Sequence, residues 1–170
     1  MRRIGMLWVM MAALLSAIEV GQVPPHVVLE GKKGGKIDGT PWDSHMLRGK
    51  VYVVFYVDPD KKELNQPFID VLNKRHFPSE TYGSVAIVNM AATWKPNAII
   101  EMLLEKKQRK YPRTVYVKDK QKVLVHAWKV ADDTSDVLIF DKDGKLLYKH
   151  YGKMNDKEIK KAMQTIESHL

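Results

Sequence analysis

The stretch VYVVFYVDPDKKEL, residues 51–64, decides how this chain is read. Its first part, Val51–Val57, consists wholly of β-branched and aromatic residues. A run that is apolar on both faces suits a strand whose sheet is covered on both sides, so it predicts a central strand. Lys50 before the run and Asp58-Pro59 after it set its limits. Asp60 and Glu63 have the spacing of a capping box and predict a helix starting near Lys61. Leu64, Phe68, Val71 and Leu72 then share one helical face. Pro67 falls inside that helix, where it should remove a hydrogen bond and bend the axis.

Working outward, Phe77-Pro78 and Tyr82-Gly83 close this unit, and residues 84–90 (SVAIVNM) read as a second strand. Pro96 suits a first helical turn; Ile99, Ile100, Leu103 and Leu104 form the apolar face of a helix ending near Tyr111-Pro112. Strand, helix, strand, helix is the order of a partly parallel sheet in an α/β domain. Residues 114–117 make another strand, and residues 123–128 are ambiguous between strand and short helix. Residues 137–140 and Leu146–Tyr151 flank the turn Asp141-Lys142-Asp143-Gly144 as a hairpin. A last helix starts at Asn155 or Asp156 and points Ile159, Met163 and Ile166 inward. Ahead of the central strand, residues 27–29 read as a strand, residues 31–35 (GKKGG) as a turn and residues 36–38 as a return strand. No internal repeat and no second domain interrupts the pattern, so residues 19–170 are expected to form one domain.

The first residues carry an address. Arg2 and Arg3 precede an apolar run, residues 4–18. A stretch of about 15 residues suits a signal peptide and is short for a membrane span. Residues 1–18, or up to about residue 21, are therefore expected to be cleaved on export. Cleavage after Ala17 fits the preference for small residues only in part, because Leu15 occupies the other such position. No stable span would remain. The 170 residues hold 28 Lys and Arg against 20 Asp and Glu, a net +8, but the lysines alternate with acids rather than forming a one-sign stripe. The chain contains no cysteine, which removes thiolate nucleophiles, thiolate metal ligands and any redox pair.

The segment Phe140-Asp141-Lys142-Asp143-Gly144-Lys145, followed by a strand, Tyr151-Gly152 and an amphipathic helix, resembles the C-terminal half of periplasmic thioredoxin-like proteins. Val51–Val57 after Gly49-Lys50 resembles their first core strand. More narrowly, the chain resembles the YtfJ family of small exported proteins, through Gly21-Gln22-Val23-Pro24-Pro25, Trp42-Asp43-Ser44, Gly49-Lys50-Val51, Tyr111-Pro112, Ala127-Trp128 and Asp141-Lys142-Asp143-Gly144. The resemblance implies a thioredoxin-like fold, a central mixed β-sheet flanked by helices, and a periplasmic location. It implies no activity. In redox relatives a Cys-x-x-Cys motif lies where the first core strand turns into its helix; the counterparts here are Asp60 and Glu63. Peroxidase relatives also need a cysteine in that region. The cis-proline of redox relatives has Thr134 at the matching position. The former redox site thus offers Asp58, Asp60, Lys61, Glu63 and Thr134 as candidate binding residues, and no catalytic residue is assigned.

Other chemistry finds little support. His26, His45, His76, His126, His150 and His169 include no helical pair four apart and read as scattered, so no metal and no cofactor are expected. Asp132, Asp133 and Asp136 lack the glycine and distal glutamate of an EF-hand loop, and Asp141 with Asp143 is explained by the turn. No Gly-x-Ser-x-Gly elbow, phosphate loop or dinucleotide fingerprint occurs. Residues 106–110 (KKQRK) and 118–122 (KDKQK) are basic but hold no interleaved aromatic, and the first suits a helix C-terminus. Trp94 beside Lys95-Pro96 reads equally as a binding-loop aromatic and as a core residue. The function expected is a non-catalytic module that binds a periplasmic protein, peptide or envelope component, with no nucleic-acid partner. The alternatives are an enzyme using non-thiol chemistry at Asp58, Asp60, Lys61 and Glu63, and a nucleic-acid-binding regulator that is never exported.

Overall fold

The computed structural model describes residues 17–170. The first sixteen residues of the expected leader lie outside it. Among the described residues, twelve regular elements follow in chain order: β1 (Val28–Leu29), β2 (Gly34–Lys36), β3 (Trp42–Asp43), β4 (Val51–Val57), α1 (Gln66–Arg75), β5 (Tyr82–Asn89), α2 (Asn97–Lys110), β6 (Thr114–Asp119), α3 (Val123–Trp128), β7 (Ser135–Phe140), β8 (Leu146–Tyr151) and α4 (Asp156–Glu167). Six strands form one mixed sheet in the order β2-β6-β5-β4-β7-β8, and β1 pairs with β3 outside it. β4 lies inside the sheet, parallel to β5 and antiparallel to β7. The β7–β8 hairpin is antiparallel, as its turn residues predict.

The burial of β4 explains its composition. Val54 and Tyr56 face a layer with Trp42, Trp128, Leu138 and Phe140. Val53 and Phe55 face the opposite layer, with Phe68, Val137, Ile139, Met163 and Ile166. Successive side chains of a strand point to opposite faces, so a strand with two cores beneath it has no polar position to spare.

Four local readings are corrected. The helix after β4 starts at Gln66 rather than near Lys61. Pro67 consequently sits in its first turn, where its missing N–H has no helical partner to lose. Asp60 and Glu63 form no capping box: residues 59–61 make a 3₁₀ turn capped by Asp58, whose carboxylate accepts from the Asp60 amide at 2.8 Å. A reciprocal box does form at α4, where Asn155 accepts from the Lys157 and Glu158 amides and Glu158 accepts from the Asn155 amide at 2.6 Å. The return strand is Gly34–Lys36, not residues 36–38. It runs so close to β6 that a Cβ on Gly34 would meet the Lys118 carbonyl oxygen at 1.8 Å.

Residues 123–128 resolve as helix because Asp119 caps them: its fully buried carboxylate accepts from the amides of Val123 at 2.9 Å and Leu124 at 3.0 Å. That satisfies donors a helix start leaves free. On α2 only half of the expected apolar face turns inward: Ile100 and Leu104 are buried, whereas Ile99 and Leu103 are exposed. At the other end, Ile18 is buried, and its amide donates to the Trp128 carbonyl at 3.2 Å. Among the described residues no helix is long and apolar enough to cross a membrane.

Candidate functional site

The site grows from the end of β4. Asp58, the next residue, is buried; its amide donates to the Thr134 carbonyl at 2.8 Å, so the two halves of the former redox site do meet. From Asp58 the chain descends through tight turns to Asn65. Asn65 is almost wholly buried and uses its whole amide: Nδ2 donates to the carbonyls of Ser135 at 2.9 Å and Gly152 at 3.0 Å, and Oδ1 accepts from the Met154 amide at 2.9 Å. This one side chain ties the entry of α1 to β7 and to the loop leading into α4.

Asp60 points away from that floor. Its carboxylate accepts from the Thr93 hydroxyl at 2.7 Å and pairs with the Lys95 ammonium. The Lys95 and Thr93 bonds hold its carboxyl below the usual carboxylate range. Thr93 Oγ1 also accepts from the Lys95 amide at 3.3 Å. Trp94 lies between these two anchored residues and is 87% exposed. The ambiguity over Trp94 is thereby settled: it is a surface aromatic on a tethered loop.

Glu63 is exposed and lies 3.7 Å from the neighbouring Lys62, and Lys61 is exposed. The proposed catalytic carboxylates therefore do not converge. Asp58 is engaged with backbone, Asp60 with Thr93 and Lys95, and Glu63 with its neighbour.

Several polar groups near this site escaped the sequence reading. Asp136 is fully buried on β7, opposite Tyr56 of β4. Its Oδ2 accepts from the Ala131 amide at 2.7 Å, while Oδ1 has no partner. Burial pushes its carboxyl up to about 7. Asn89 Nδ2 donates to Asp132 Oδ1 at 2.8 Å, and Lys122 reaches the same carboxylate at 2.7 Å. The Lys122 bond is the main cause that lowers the Asp132 carboxyl from its ordinary value. Tyr56 donates to Asp119 at 3.1 Å, and burial raises its phenol. A strand position between two cores was the only signal for Asp136, and it does not separate a buried acid from an exposed one.

Two further expectations change on contact with the structure. The histidines are not all scattered: the rings of His26 and His45 stack with centroids 4.0 Å apart, both beside Asp43. The basic run at residues 118–122 is largely paired, with Lys118 and Lys120 on Glu101 and Lys122 on Asp132.

Comparison with known proteins places this geometry. A family model described as "Bacterial protein of unknown function (YtfJ_HI0045)" matches residues 14–169. The chain is 26% identical to the uncharacterized protein YtfJ of Escherichia coli (strain K12) over 132 residues, which cover 76% of this chain and 72% of the relative. An uncharacterized protein of Haemophilus influenzae is 29% identical over 129 residues, 74% of this chain and 70% of that one. Among solved structures, the pneumococcal exposed lipoprotein thioredoxin Etrx1 from Streptococcus pneumoniae is similar with a TM-score of 0.59 at 17% identity, over 85% of this chain and 99% of the other. The thioredoxin domain of the thiol-disulfide oxidoreductase BVU-2223 from Bacteroides vulgatus reaches 0.62 at 12% identity, over 88% and 99%. At these identities the likeness shows the fold: thioredoxin-like, in a chain without a thiol.

Proposed function

The chain belongs to the YtfJ_HI0045 family of bacterial proteins of unknown function, and from that premise we propose that it is an exported, non-catalytic binding module. It recognises a periplasmic protein or peptide at the rim of the former redox site. The observation that carries this reading is Trp94, 87% exposed yet held between Thr93 and Lys95, both fastened to Asp60. A large aromatic side chain offers much contact area at low entropy cost, and a tethered loop has already given up the freedom that binding would otherwise remove. Asp60 and Lys95 beside it supply a polar margin.

Export rests on Arg2-Arg3 and the apolar run at residues 4–18, and the reading takes residues 19–170 as one thioredoxin-like domain. An enzyme at the same place has less support, because each suspect carboxylate already has a separate partner.

The test is recovery of partners from a periplasmic extract on immobilised protein. Trp94→Ala should abolish recovery of a specific partner while the melting temperature stays unchanged, since the side chain packs on nothing it must support. Equal recovery by the wild type and the variant overturns the assignment of this rim.

A further inference from the structure

We propose that His26, Asp43 and His45 form a binding site for a divalent transition-metal ion, with zinc as the ion whose preferences they meet. The site stands apart from the Trp94 rim. His45 precedes β4 at the end of the sheet where Gly49 donates to the Lys142 carbonyl of the β7–β8 turn, whereas Asp58 follows the other end of β4. The inference is therefore independent of the binding role proposed above.

The backbone brings the three together without any metal. Asp43 ends β3 and is the register partner of Val28 in β1. The Ser44 amide donates to the Val27 carbonyl at 2.9 Å, and the Val27 amide donates to Ser44 Oγ at 3.0 Å. On the other side of His26, the Pro25 carbonyl accepts from the Trp128 indole N–H at 2.8 Å. Both neighbours of His26 are thus fixed, and one of them is fixed to the strand end that carries Asp43.

The three donor groups are already clustered, with His26 Nε2 hydrogen-bonded to the Asp43 carboxylate. His26 Nε2 is 2.8 Å and His45 Nδ1 3.7 Å from Asp43 Oδ1, and the three ligand atoms lie within 4.8 Å of one another. Two ligands on a tetrahedral zinc with bonds of about 2.0–2.1 Å are separated by roughly 3.3–3.5 Å. The His26 and His45 distances to Asp43 bracket that separation, and the two rings, stacked nearly parallel with centroids 4.0 Å apart, must turn about their side-chain bonds for both nitrogens to face one ion. The Asp43 carboxylate is held in place by backbone: Oδ1 accepts from the His45 amide at 2.8 Å, and Oδ2 takes part in none of these bonds.

Two imidazoles and one carboxylate favour borderline ions such as zinc over calcium or magnesium, which want oxygen ligands in larger number. Three protein ligands leave a fourth position for water or for a donor from elsewhere. The half-exposed side chains give an aqueous ion direct entry.

Isothermal titration of the purified protein with zinc chloride tests this. One zinc per chain should bind, with no heat from calcium or magnesium at the same concentrations. His26→Gln combined with His45→Gln should weaken zinc by at least about tenfold, since loss of even an outer-shell partner costs 10–100-fold. His126→Gln should bind as the wild type does. Imidazole nitrogen NMR gives a second measurement that needs no variant: the resonances of His26 and His45 should move on zinc addition while those of His76 and His126 stay. Absence of saturable zinc binding, affinity unaltered in the double variant, or shifts confined to other histidines overturns the proposal.

Discussion

The Thr93 hydroxyl donates to the Asp60 carboxylate at 2.7 Å, across 33 residues of chain. Asp60 therefore serves the loop that carries Trp94, not the start of a helix. The cap is Asp58, two residues earlier.

That exchange of roles separates two variants. Asp58→Ala removes a buried cap and should cost about 0.5–2 kcal/mol of stability. Asp60→Ala should leave the melting temperature nearly unchanged, because exposed ion pairs contribute little. It should instead free the Trp94 loop, seen in a form that begins at Ile18 and so lacks Trp8 as a fall in tryptophan anisotropy and stronger iodide quenching, since Trp42 and Trp128 are buried. A large loss of stability in Asp60→Ala would restore it as the cap.

Asn65→Ala leaves the Ser135 and Gly152 carbonyls and the Met154 amide short of a partner. Each buried group so abandoned costs about 1–3 kcal/mol, and relaxation will recover part, so a loss of roughly 2–4 kcal/mol is expected in urea unfolding. Because Asn65 bridges α1 to the β8–α4 loop, hydrogen exchange should quicken at Met154 as well as in α1.

Asp136 makes stability depend on pH. Its folded carboxyl titrates near 7, above its ordinary value of 3.8, because burial opposes the charge. Between those values the folded state binds more protons than the unfolded one, so stability falls as pH rises and levels off above about 7. The span sets a ceiling of about 4 kcal/mol on this contribution. Asp136→Asn should flatten melting temperature against pH over that window and melt above the wild type at pH 8. An unchanged slope would show that Asp136 is ionised throughout.

Ile18 bears on where the expected leader would be cut. Its buried side chain packs with Trp42 and Trp128, and Lys149 donates to its carbonyl at 2.7 Å. Cleavage after Ala17 would keep this anchor, and mass spectrometry of the mature N-terminus should find Ile18 first. A form starting at Gly21 should be less stable by about 1.5–3 kcal/mol, the value of burying one such side chain. A native terminus at Met1 on a membrane-bound protein would contradict the leader.

The fold was legible in particular places for particular reasons. Val51–Val57 announced a doubly covered strand because every residue in it is apolar, and the Asp141-Lys142-Asp143-Gly144 turn announced its hairpin through residues that tolerate tight turns. Asn155 and Glu158 carry the same pattern as Asp60 and Glu63, yet only the first pair closes a box. At Asp60 the backbone amide is already bonded to Asp58, the carboxylate is bonded to Thr93 and Lys95, and the helix begins only at Gln66. Pro67 misled for a related reason, because a proline suits a helix start or breaks a helix interior, and the actual start came later than the pattern suggested.

Composition and local pattern by themselves determined the absence of thiol chemistry, the alternation of strands and helices, the central place of β4 and the terminal hairpin and helix. These follow from interactions within a few residues: side-chain period, capping and turn propensity. The tertiary structure alone decided what stands beside what. It set Trp94 outside on a loop tied to Asp60, sealed Asp136 beneath the site, and laid His26 against His45. Those relationships join residues far apart in the chain, and they exist only because the sheet assembles in the order β2-β6-β5-β4-β7-β8 with β1 and β3 paired outside it. No local propensity encodes that order; it is selected by which arrangement buries both faces of β4 at once.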